Sequence, residues 1–150
     1  MLRLGFLPSD FNPMLLILAE EEGFRLLAAA LRRFAADAAP VRLDRLPGAV
    51  ASIALALQPA DGPPGLVRLP GPGAGFAWRL DAAHAADFAA RAALLAHPDQ
   101  PAGADFLTCG GSDEIPVKLS RGEYTDDFLL PPGLPARPGW DSKTSNEREA

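Results

Sequence analysis

Residues 14–37 read MLLILAEEEGFRLLAAALRRFAAD and join two kinds of hydrophobic pattern. The first six residues are all apolar, a length that favours a buried strand, although a helix beginning at Pro13 remains open. From Glu20 onward the apolar residues recur every three or four positions, as on one stripe of an α-helix: Phe24, Leu27, Ala28, Leu31, Phe34 and Ala35. Glutamates lie at the start of this helix, where the helix dipole favours negative charge, and Pro40 ends it.

A second helix is predicted from Asp81, a good N-cap residue, to about Ala96. Its apolar stripe comprises Ala85, Phe88, Ala89, Ala92 and Leu95. The two strand-then-helix units, ending near Asp37 and Ala96, resemble a loose duplication, although no repeat of 20–50 residues stands out.

Shorter apolar runs predict the remaining strands, because they are bounded by glycine and proline and alternate apolar with small or charged residues. The predicted strands are residues 1–7, 41–46 and 49–57, a hairpin of 66–69 with 76–80, and a hairpin of 105–109 with 115–120. Trp78 is expected in the core.

These elements predict an α+β fold in which a mainly antiparallel sheet carries both helices on one face. Residues 1–130 would form the single domain. Residues 131–150 are predicted to form a proline-rich strap docked on that domain and a loose polar tail, because proline removes backbone donors and the last ten residues are almost wholly polar.

Composition excludes several classes of function. The 150 residues include 14 Lys and Arg against 19 Asp and Glu, a formal net charge of −5, so the basic footprint of a nucleic-acid binder is missing. No apolar run approaches the roughly 20 residues that cross a bilayer. We expect a protein without membrane contact and, since the first residues lack a signal-peptide core, a cytoplasmic one.

Cysteine and histidine are scarce, with one Cys and two His in the chain. One thiol forms no internal disulfide, and this set is too small for a zinc site made of Cys and His alone. We expect no metal and no cofactor. Cys109 precedes Gly110-Gly111 and could act as a nucleophile only if His84 or His97 lay beside it, so a small apolar filler is the simpler interpretation.

The glycine-rich loop at Gly71, Gly73 and Gly75 lacks the Gly-Lys-Ser/Thr ending of a P-loop and does not open a helix. A hairpin loop is therefore favoured over a phosphate site.

Carboxylates near the end of the predicted domain are the richest polar feature. They suggest either a solvated acidic rim or a surface that recognises a basic partner. Trp140, beyond the domain, either docks on it or anchors a partner. The candidate partner-binding residues are Asp113, Glu114, Glu123, Tyr124, Asp126, Asp127 and Trp140.

The strand leading into residues 22–27 (EGFRLL), the alanine-rich second helix and the closing segment 115–124 (IPVKLSRGEY) resemble small uncharacterised bacterial α+β proteins. Some of these are grouped with the immunity proteins of polymorphic toxin systems. The resemblance implies a non-catalytic protein that neutralises a toxin by binding it, and the acidic balance would suit a basic toxin.

The leading hypothesis is therefore a non-enzymatic, cytoplasmic, protein-binding domain. Two alternatives remain open: a small hydrolase or transferase that uses Cys109, and a structural accessory domain within an oligomer.

Overall fold

Helices and strands alternate along the described part of the chain, which comprises residues 1–8, 13–99 and 103–122 of a computed structural model. The α+β class is confirmed. The elements are β1 (Leu2–Leu7), β2 (Met14–Ala19), α1 (Glu21–Asp37), β3 (Val41–Arg42), β4 (Ala49–Ala51), β5 (Leu55–Pro59), β6 (Gly65–Arg68), β7 (Phe76–Leu80), α2 (Ala82–Leu95), β8 (Gly103–Leu107) and β9 (Val117–Arg121).

Both helices form where their local signals predict them. The Asp81 carboxylate caps α2 by accepting the His84 N–H at 2.7 Å. Helix α1 ends at Ala38, whose left-handed backbone lets its N–H donate to the Phe34 carbonyl. The predicted stripe of α2 is entirely buried, as is that of α1 except for the half-buried Ala35. Residues 14–19 are a strand, not the start of a helix.

The prediction of one mainly antiparallel sheet was wrong. The described strands form two mixed sheets, sheet A in the order β4-β1-β2-β9-β8 and sheet B in the order β3-β5-β7-β6. Parallel and antiparallel pairs alternate across each sheet. Both predicted hairpins are present, but parallel pairing of β2 with β9 and of β5 with β7 joins distant parts of the chain.

The topology repeats itself, which gives substance to the loose duplication seen in the sequence. In the first unit β1 and β2 pair, α1 follows, and β3 and β5 pair. In the second, β6 and β7 pair, α2 follows, and β8 and β9 pair. Each unit places its second pair of strands in the sheet of the other unit. The helix stripes correspond at a constant offset, as Leu27 with Phe88 and Phe34 with Leu95 illustrate.

One core lies between these layers. The two helices pack on each other, α1 contacts β2 of sheet A, and α2 contacts both β7 of sheet B and β8 of sheet A. The expectation of both helices on one face of one sheet is therefore corrected: they pack with the inner faces of two sheets. Trp78 is completely buried, as predicted, and stacks on Phe88 with ring centroids 5.7 Å apart.

Two predicted strands are shorter than expected. Of residues 41–46 only Val41–Arg42 is a strand, and Leu43–Arg45 forms a 3-10 turn. Residues 49–57 are divided between β4, at the edge of sheet A, and β5, inside sheet B. A bend at residues 52–53 separates them, so this apolar run leads from one sheet to the other.

The predicted strap and tail at 131–150 lie outside the described residues, as does the end of the predicted domain after Gly122. Within the described part, neither helix has the length and continuous apolarity needed to cross a membrane.

Candidate functional site

Glu114 organises the loop between β8 and β9. Its carboxylate accepts the backbone N–H groups of Cys109, Gly110 and Gly111 at 2.6, 2.8 and 3.1 Å. The loop is also tied to sheet B, because the Ile115 N–H donates to the Leu66 carbonyl at 3.1 Å. Glu114 is therefore occupied in holding its own loop.

Cys109 lies half-buried in this loop. Burial, and then the negative charge of Glu114, raise the pKa of its thiol to about 12. Because the thiolate is the reactive form, the sulfur is protonated and a poor nucleophile at neutral pH.

The two histidines make contacts of their own. His84 Nδ1 lies 2.9 Å from a carboxylate oxygen of Asp81, and His97 Nδ1 accepts the Asp99 N–H at 3.1 Å. Within residues 1–8, 13–99 and 103–122, no hydrogen bond joins either imidazole to Cys109. The arrangement thus lacks the base that a cysteine nucleophile requires.

We expect Cys109 to be alkylated by iodoacetamide at pH 8 at least about tenfold more slowly in the folded protein than in urea, since its thiolate is scarce. The folded rate should keep rising above pH 9, because the thiol titrates toward about 12. Folded stability should correspondingly fall as the pH rises from 9 toward 12, because the folded state holds the proton more tightly. A Cys109→Ser variant is the blank, and equal rates in both states would contradict the buried thiol.

The candidate partner-binding residues are dispersed by the structure. Asp113 is exposed beside the half-buried Glu114, but the two differ in role, since only Glu114 accepts the loop amides. The remaining candidates lie outside the described residues: Glu123, Tyr124, Asp126, Asp127 and Trp140. Among the described residues, no group of three Cys, His, Asp or Glu side chains is placed to hold a metal ion.

The glycine-rich loop lines an open cleft of about 410 Å³, together with the bend between β4 and β5. Asp44 and Arg68 are its charged side chains. Burial opposes ionisation of Asp44, but hydrogen bonds from Arg42 and from the Leu55 N–H outweigh it and lower the pKa of this carboxyl. The Arg68 guanidinium lies 5.2 Å from the centre of the Phe6 ring. This cleft places no acid beside a base or nucleophile.

A different feature is prominent at β8, an end strand of sheet A among the described strands. The Phe106 side chain is 52% exposed, and the Lys118 ammonium lies 5.4 Å from its ring centre. Such a cation–π contact limits the ring to few orientations. Sequence reasoning missed Phe106, because nothing in the pattern of residues 105–109 shows which face of the strand lies against solvent.

Arg91 of α2 fixes the backbone under Phe106. Its guanidinium donates to both carboxylate oxygens of Asp105, at 2.6 and 2.8 Å, and to the Phe106 carbonyl at 2.9 Å. Hydrogen bonding from Arg91 also lowers the pKa of the Asp105 carboxyl. The exposed ring is thus carried by a rigid strand.

Comparison of the chain with protein-family models, curated proteins and solved structures finds no match.

Proposed function

We propose that this protein is a non-catalytic domain that binds another protein, and that Phe106 on β8 is the centre of the contact surface. The observation that carries the proposal is a large aromatic side chain, half exposed, on a strand fixed from behind by Arg91. Exposed aromatic residues on rigid elements dominate the energetics of many protein interfaces, because they bury much area at little entropic cost.

The position of β8 adds a second mode of contact. Among the described strands β8 pairs only with β9, and an end strand presents backbone N–H and C=O groups to a partner's strand. A partner strand added there would lie next to Phe106.

The charge of the protein specifies the partner further. With a net charge of −5, it attracts a basic protein over longer distances and so accelerates their encounter. An immunity-like role, the neutralisation of a basic toxin, is consistent with this surface and remains part of the proposal. The chemistry of Cys109 gives no support to the hydrolase or transferase alternative, because its thiol is protonated and lacks a base.

Photo-crosslinking tests the proposal directly. Benzoylphenylalanine is placed at position 106 of the full chain and, as a control, at Leu94 of α2, which is 70% exposed and lies on a different element. We expect a discrete protein adduct in host cells from position 106 and none from position 94. Purified partner should bind a Phe106→Ala variant about 30-fold more weakly, and a Leu94→Ala variant equally well.

Other outcomes count against the proposal. Absence of an adduct, or the same adducts from both positions, would show that the surface is not specific. An adduct containing a second copy of this chain would favour the accessory-domain alternative instead.

A further inference from the structure

The outer face of sheet A, which points away from the common core, contains a second apolar cluster. Strand β2 alternates, so Leu15, Ile17 and Ala19 join the core, whereas Leu16 and Leu18 point the other way and pack with Leu7. Register places Lys118 beside Leu16 and Ser120 beside Leu18 on this face.

The centre of this face is thoroughly buried. The exposed fraction is 0% for Leu16, 3% for Leu18 and 1% for Ser120. By contrast, Phe106 on β8 is 52% exposed and Val50 on β4 is 36% exposed. The cover therefore lies over β1, β2 and β9 and stops before the two end strands.

The described elements do not account for this cover. The contacts of α1 and α2 with the sheets, and the membership of their stripes in the common core, place both helices on the inner side. Leu7 is half-buried and is the one further hydrophobic residue that packs with Leu16 and Leu18 in the described ranges. One side chain of this size does not exclude water from two leucines and a serine.

We infer that residues 123–130 of this same chain cover the outer face of sheet A. The argument is independent of the proposed function. These residues, EYTDDFLL, directly follow β9, which is itself one of the three covered strands, and Gly122 has a positive φ of 78° that suits a turn at the strand's end. The other stretches outside the described ranges, 9–12 and 100–102, are short connections.

Length and chemistry fit this assignment. Eight extended residues reach up to about 26 Å, whereas three strands span about 14 Å. The segment brings four large apolar side chains for the leucines, Tyr124, Phe128, Leu129 and Leu130. It also brings three carboxylates, and the face they would meet carries two cations, Arg3 and Lys118.

The inference changes the meaning of the carboxyl-terminal acids. Glu123, Asp126 and Asp127, together with Tyr124, would serve an internal surface instead of a partner. Phe106, at the rim of the covered area, then remains accessible beside the segment.

Paramagnetic relaxation in the full chain tests the inference. Cys109→Ser removes the native thiol, Leu129→Cys carries a nitroxide, and the leucine methyl groups are labelled with ¹³C. We expect the methyl signals of Leu16 and Leu18 to lose most of their intensity and to recover when ascorbate reduces the nitroxide. The signals of Leu94, on the far side of the sheet, should keep theirs.

Unchanged Leu16 and Leu18 signals would overturn the inference. A mixture of nitroxide-bearing unlabelled chains with ¹³C-labelled chains lacking the nitroxide provides the second arm. Loss of the two signals in that mixture would also overturn it, because the cover would then come from a second copy.

Discussion

Replacement of Arg121 with methionine is expected to lower the free energy of unfolding by about 2–4 kcal/mol, since two charge-assisted hydrogen bonds are lost and two carbonyls are left without a donor. Arg121 of β9 is only 9% exposed. Its Nη1 donates to the carbonyls of Leu95 and His97 at 2.7 and 2.8 Å. These carbonyls lie at the end of α2, where a helix lacks internal donors and its dipole favours a cation.

Urea denaturation measures this effect. Methionine keeps most of the apolar stem, so the loss reports on the guanidinium and not on packing. Arg32→Met, on the exposed side of α1, is the matched control and should stay within about 0.5 kcal/mol of the parent. A loss below about 1 kcal/mol for the Arg121 variant would show that water replaces the guanidinium without penalty.

Gly75→Ala is expected to cost about 2–5 kcal/mol, because it combines left-handed backbone strain with a steric clash. Gly75 has a φ of 83°, and a Cβ there would lie 2.6 Å from the Ala54 carbonyl oxygen. The Phe76 N–H donates to that same oxygen at 2.9 Å, so neither strand end can withdraw without losing a hydrogen bond.

Gly71→Ala, in the same loop, separates the two contributions. Gly71 has a φ of 100°, but a Cβ there would meet nothing within 4 Å, so only the backbone strain of about 1–2 kcal/mol applies. Thermal or urea unfolding of both variants gives the comparison. Equal losses would show that the approach of Gly75 to Ala54 is not a constraint on the fold.

The helices could be predicted because their determinants are local. The stripe from Phe24 to Phe34 and the cap at Asp81 depend on residues within a few turns of one another. The six apolar residues of β2 were also informative, because a strand without polar alternation is typically covered on both faces, as Leu16 and Ile17 are.

The division into two sheets was not accessible from the same patterns. Leu15 pairs with Val117, and Leu55 with Phe76, and no feature of these apolar residues specifies which distant strand each one selects. Hairpins at 66–80 and 103–121 were predicted because a short turn decides antiparallel pairing locally, whereas parallel pairing depends on the whole chain.

The candidate site shows the same limit. Glu114 looked like a surface acid, yet three successive backbone N–H groups at residues 109–111 precede it and bind its carboxylate. The glycine pair before an acid three residues on was a usable signal for this turn. The exposure of Phe106 depends instead on which face of sheet A is covered, and that is a property of the assembled fold.

The exchange of strands between the two halves also bears on how the protein is made. During translation the β1–β2 hairpin leaves the ribosome early, but its neighbour β9 is the last described strand to emerge. Until then the Leu15 and Ile17 edge of β2 has no mate, and sheet B likewise waits for the second half. Neither half can finish alone, so nascent chains should remain dependent on chaperones until synthesis has passed residue 121.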